Sequence, residues 1–245
     1  MSEQDYKEYS NCWIKDDILI VKQDFIGELD EIEYKFLSNI KQLMFSNSKT
    51  IDSSLYYYNR NLDINSYFTF EHKSETMLNI TFDKNIYTNT LTKIFPKITH
   101  LCLPIYFNNK IDILPLSLTH LILHFYFNQE LDNLPSLLMF LSLSHCFNKR
   151  LDNLPSSLTH LYLSHKYNNS LDDLPSSLTH LKFDTTNSSN CFDKSLDNLP
   201  INLEYIGLPQ KYTHKINNLP KNIKTIKCSS QYKYNFDSSI TIIIY

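Results

Sequence analysis

The chain contains no alanine and, among 245 residues, only two glycines, Gly27 and Gly207. Alanine is the strongest helix former. Here Ile, Tyr, Phe, Thr and Asn stand in its place, and these favour strands and turns. So little glycine makes a phosphate-cradling loop an unlikely design, and no GxGxxG, Walker, GxSxG or HExxH pattern occurs. Charge of one sign is also lacking: 23 basic and 26 acidic side chains leave a net charge of −3, with no electrostatic footprint for nucleic acid. No apolar run approaches the roughly 20 residues that span a bilayer. The opening MSEQDYKEYSNCW has no apolar stretch of the secretory kind. Five cysteines, an odd number without a CxxC pair, read as reduced thiols in a cytoplasmic setting. Together these absences predict a non-enzymatic chain with no cofactor, no bound metal, and neither nucleic acid nor membrane as partner.

What the chain does contain is a repeat of 20 residues. Asn128–Leu143 reads NQELDNLPSLLMFLSL, Asn148–Leu163 reads NKRLDNLPSSLTHLYL and Asn168–Phe183 reads NNSLDDLPSSLTHLKF. Prolines keep the register at Pro115, Pro135, Pro155 and Pro175, then at Pro200 and Pro220. A fixed period of this length specifies stacked units that bury their apolar faces against one another. Within one unit, Leu138, Leu141 and Leu143 form an L-x-x-L-x-L pattern in which Leu141 and Leu143 point inward and Ser142 points out. The proline fixes φ and removes a donor, so the return segment is expected to be extended or a single 3-10 turn.

The predicted fold is therefore mainly β: a solenoid with one parallel sheet of about ten short strands. Residues 1–24, with Trp13 and the run Ile18 to Val21, are expected to cap the stack. Degenerate repeats should fill 25–97, with strands over 40–45 and 77–82. Regular repeats should fill 98–230, and a closing strand 231–245. The stretch Thr185 to Cys191 lengthens one repeat and is expected to bulge from an edge.

The pattern carried by Phe127-Asn128, Phe147-Asn148 and Tyr167-Asn168, with the Leu-Pro pairs ending at Pro135, Pro155, Pro175, Pro200 and Pro220, resembles the FNIP-repeat family, short relatives of the leucine-rich repeats (LRR). The resemblance covers 107–228 clearly and 25–106 in degenerate form. It implies a right-handed LRR-like solenoid and an interaction role without catalysis. The family is typical of amoebae and the giant viruses that infect them, which implies a host-cytoplasm setting if the chain is viral. Some relatives carry an F-box and serve ubiquitin ligases. Residues 1–50 here show no Leu-Pro start with a helical leucine pattern, so a substrate receptor is the alternative reading, beside a structural or decoy role.

Three outward columns run along the predicted sheet. The first holds His100, His120, Phe140, His160, His180, Tyr205 and Thr225; the second holds Cys102, Ile122, Ser142, Tyr162, Lys182, Gly207 and Lys227; the third holds His124, Ser144, Ser164 and Asp184. The histidines admit three readings: a ladder produced by repeat duplication, a recognition surface for a protein, or a chelating pair. No carboxylate or cysteine completes a familiar ligand set around that column, so no metal is expected. His120, Phe140, His160, Tyr162, His180 and Lys182 are the candidate partner-binding residues, expected on the concave face of a monomer with a protein partner. Adjacent imidazoles resist double protonation, which predicts weaker binding near about pH 6. The asparagines Asn108, Asn128, Asn148 and Asn168 are expected to be buried and to satisfy backbone groups at each corner. The aspartates Asp112, Asp132, Asp152, Asp172 and Asp197 are expected to splay toward solvent or to accept turn N–H bonds, because like charges repel at strand spacing.

Overall fold

A computed structural model describes residues 98–103, 107–111, 113–123, 125–143, 145–184 and 191–245, together with the strand backbones 7–8, 12–15, 18–21 and 42–45. The predicted strand over 77–82, His124, Ser144, Asp112, the lengthened stretch 185–190 and the Cys102 side chain lie outside the described residues. Among the described residues, twelve strands form one sheet in chain order. They are β1 (Lys7–Glu8), β2 (Cys12–Lys15), β3 (Ile18–Val21), β4 (Gln42–Phe45), β5 (His100–Cys102), β6 (His120–Ile122), β7 (Phe140–Ser142), β8 (His160–Leu163), β9 (His180–Phe183), β10 (Tyr205–Gly207), β11 (Thr225–Cys228) and β12 (Thr241–Ile244). The count exceeds the expected ten because the first three strands form an antiparallel meander. From β3 onward every neighbouring pair is parallel.

The period dictates the register. Leu101 pairs with Leu121, Leu121 with Leu141, Leu141 with Leu161 and Leu161 with Leu181, and each of these side chains is fully buried. Leu181 then pairs with Ile206, so one repeat spans five residues more than the others without breaking the spine. A second internal column stacks Phe107, Phe127, Phe147, Tyr167, Phe192, Tyr212 and Tyr232. Successive ring centroids there stand 6.0–6.4 Å apart. Together these columns form one continuous apolar core, the inner side of each coil that no single repeat could bury alone.

The return segment is tighter than a helical turn. The backbone N–H of Leu118, Leu138, Leu158, Leu178, Leu203 and Ile223 donates to the carbonyl of the proline three residues earlier, at 3.0–3.1 Å. Each repeat therefore closes with a single hydrogen-bonded turn, and no 3-10 helix is present among the described residues.

Polar ladders tie each coil to the one before. The Oδ1 of Asn108, Asn128 and Asn148 accepts the backbone N–H of the next asparagine at 2.8–2.9 Å, and Asn168 does the same for Asp193 at 3.0 Å. These amides are half-exposed or exposed rather than buried as expected, because the corner they brace is itself at the surface. Ser117, Ser157 and Ser177 donate to the carbonyls of Ile98, Leu138 and Leu158 at 2.6–2.7 Å. The aspartates Asp132, Asp152 and Asp172 are exposed, as like-charge repulsion predicts. No described helix is long and apolar enough to cross a membrane.

Candidate partner face and histidine cluster

The face of the sheet turned away from the core carries a continuous ladder of rings at the strand starts. His100 stacks on His120 at 4.1 Å and 12°, and His120 on Phe140 at 5.5 Å and 21°. Phe140 lies 6.3 Å from His160, tilted by 32°. His160 stacks on His180 at 4.3 Å and 12°, and His180 on Tyr205 at 5.7 Å and 19°. Parallel pairing sets the spacing, since equivalent residues sit one strand apart.

A threonine fixes each imidazole. The Oγ1 of Thr99, Thr119, Thr159 and Thr179 lies 2.8–2.9 Å from Nδ1 of the following histidine. The hydroxyls of Thr119, Thr159 and Thr179 also donate to the carbonyls of Thr99, Met139 and Thr159 at 3.0–3.1 Å. A hydroxyl has one proton. With that proton spent on the carbonyl, Nδ1 of His120, His160 and His180 must donate to the threonine oxygen. Each of these rings is therefore the Nδ1–H tautomer, with Nε2 as its acceptor nitrogen.

Burial keeps these rings neutral. It pushes His100 down to about 4; burial with the nearby His100 does the same for His120, and burial with the neighbouring His180 and His120 for His160. His180 is lowered too, mainly by burial, while Glu204 opposes. Protonation of His100, His120 and His160 is thus displaced to about pH 4, because desolvation acts on every ring before repulsion between charged rings can begin.

The six candidate residues do come together in this ladder, on unequal terms. His120, His160, His180 and Lys182 are half-buried. Phe140 is 1% exposed and Tyr162 8%, so neither ring offers appreciable contact area. The reason is packing along the column: Tyr162 sets its edge against Phe140 at 5.2 Å and 80°, and the Lys182 ammonium lies 5.3 Å from the Tyr162 centroid. Ser142, on the outward side of β7, is buried as well. A Cβ on Gly207 would meet Lys182 Cγ at 3.2 Å and Tyr205 Oη at 3.4 Å, so glycine there makes room for both side chains.

A second group lies at the strand exits. His145, His165 and Asp184 bring one ligand-type atom each to within 4.8 Å of one another. The His145 and His165 centroids are 3.4 Å apart, and Phe125 stacks on His145 at 4.3 Å and 9°. His165 is 3% exposed, and its Nδ1 has no hydrogen-bond partner. Burial lowers both histidines, His145 to about 4, with each ring also pushed down by Lys166 and pulled up by Asp184. Of these three residues the sequence columns held only Asp184. The available signal was the Ser-His dipeptide at 144–145 and 164–165, repeated one period apart.

Residues 147–186 match the FNIP Repeat family model. The chain is a repeat solenoid similar to those of the LRR/FNIP type. Among solved structures it is similar to CroV588, a circular LRR protein, with a TM-score of 0.61 and 26% sequence identity over 95% of this chain. The chain spans about a third of CroV588, 34% of its length. No curated protein matches the chain. The resemblance read from the repeat motif and the LRR-like fold are both borne out.

Proposed function

We propose that this solenoid is a non-enzymatic scaffold that receives a protein partner on the sheet face turned away from the core. The observation that carries this reading is the ring ladder from His100 to Tyr205. Thr–His hydrogen bonds and stacking hold its rings without any partner. A preformed surface loses little side-chain freedom on binding. Neutral imidazoles with a defined acceptor nitrogen supply flat contact area with a polar handle, the combination favoured at protein interfaces. His120, His160, His180 and Lys182 make the contacts, while Phe140 and Tyr162 hold them from between.

The strands β1, β2 and β3 over 7–21 weigh against an adaptor-binding helix in that stretch. The test is proximity labelling in the native cell with the wild type and with H120Q/H160Q/H180Q/K182E, both checked for native circular dichroism. Partners labelled by the wild type and lost with the folded variant support the reading. An unchanged set of labelled proteins overturns it.

A further inference from the structure

We propose that His145, His165 and Asp184 form a binding site for a divalent transition-metal ion of the zinc class. The three side chains come from three successive coils, at the exits of β7, β8 and β9, and are the one such group among the described residues. Two imidazoles and a carboxylate are a ligand set that zinc accepts, with a water in the fourth position. The ligand atoms stand within 4.8 Å of one another; a tetrahedral ion with bonds near 2.0–2.2 Å needs them roughly 3.3 Å apart. Binding would draw the three atoms together by about 1.5 Å at most.

The independent sign of a ligand is His165. Its ring is 3% exposed, yet Nδ1 meets no hydrogen-bond partner, the only such buried side-chain nitrogen or oxygen among the described residues. In either tautomer a buried donor or acceptor is left unsatisfied, which the fold does not tolerate without cause. An ion that takes His165 Nδ1 as its ligand, shared with His145 and balanced by the Asp184 carboxylate, would remove that cost.

The site's position gives the ion a structural role. The repeat that begins at Leu181 spans 25 residues to its pairing partner Ile206, where its neighbours span 20. Asp184 is the first residue after β9 in that repeat, hydrogen-bonded through its N–H to the Leu163 carbonyl at 2.8 Å. An ion here would clip the lengthened coil to the two before it. The site is separate from the ring ladder, so its failure leaves the partner face untouched.

The test uses the untagged full chain, stripped with a chelator and titrated with Zn²⁺ by calorimetry and with Co²⁺ by visible absorption. One equivalent should bind, with the absorption of four-coordinate Co²⁺, and the melting temperature should rise with free metal. Asp184→Asn and His165→Gln should each weaken binding roughly tenfold or more, with circular dichroism unchanged. The half-exposed Asp184 keeps the test open if the buried His165 variant misfolds. H160Q/H180Q, which removes the stacked pair on the ladder, should bind as the wild type does. Absence of stoichiometric binding in the wild type, full binding in D184N, or loss confined to H160Q/H180Q would each overturn the proposal.

Discussion

Acid should destabilise this solenoid at a pH where ordinary carboxylates are still ionised. His100, His120 and His160 are held down to about 4, against an ordinary 6.5, with burial as the first cause in each. As pH falls below 6.5 the unfolded chain takes up protons that the folded rings refuse. Stability tied to these rings is therefore complete above about pH 6.5, declines as pH falls toward about 4, and levels off below. At about pH 5 each unfolded ring carries roughly 0.9 proton more than its folded counterpart, about 2.6 for the three, a slope near 3.5 kcal/mol per pH unit. The rings are only half-buried, and solvent screening reduces this to about 2 kcal/mol per unit. Asp172 and Asp197, lowered by their hydrogen bonds, lose their contribution only below the usual carboxylate range, so the two windows separate. The assay is the urea midpoint by circular dichroism at several pH values between about 7 and 5, repeated with H100Q/H120Q/H160Q. The midpoint should fall steeply for the wild type and less for the variant, in which His145, His165 and His180 are still held low. A flat wild-type profile, or the same slope in both, would refute the desolvation account.

Three further outcomes follow from the ladders. Leu161→Ala empties a fully buried position in the middle of the spine and should cost about 2–5 kcal/mol in chemical denaturation. Asn148→Ala removes the oxygen that accepts the Asn168 N–H at 2.9 Å. It should cost about 0.5–1.5 kcal/mol because water reaches the corner, and Asn148→Asp, which keeps the acceptor, should recover most of the loss. Thr159→Val removes the acceptor of the His160 Nδ1–H, and ring nitrogen chemical shifts should change from a pure Nδ1–H tautomer to a mixture for His160 while His120 stays as it was.

The architecture was legible because the period determines the register: once Leu121, Leu141, Leu161 and Leu181 are equivalent, parallel pairing at one strand spacing follows. The corner asparagines were legible for a similar reason, since a column of amides at a turn has few uses besides capping backbone groups. Exposure on the opposite face was not. Alternation tells which side Phe140 and Tyr162 take, but their rings pack against each other across adjacent coils, a contact between repeats that strand parity does not encode. The exit cluster was missed because the third column was taken at Ser144, Ser164 and Asp184. His145 and His165 lie one residue beyond, past the strand, where alternation no longer says which way a side chain turns.

Repetition alone does not separate structural columns from functional ones, but hydrogen-bond partners do. The Asn, Ser and Thr columns each bond to the neighbouring coil, so stack cohesion is enough to explain why they recur. The column Phe125, His145, His165 behaves differently. Its first member is apolar, and its last carries a buried nitrogen with no partner. A ring retained for stability would not bring that nitrogen with it. His165→Phe, which continues the residue already found at Phe125, should therefore leave metal-free stability unchanged or raise it, because it removes an unsatisfied buried group while keeping an aromatic ring. Urea unfolding in excess chelator measures this. A loss above about 2 kcal/mol, of the size a broken buried hydrogen bond produces, would mean that the His165 imidazole is a structural member of the stack and that its unsatisfied nitrogen is no sign of a ligand.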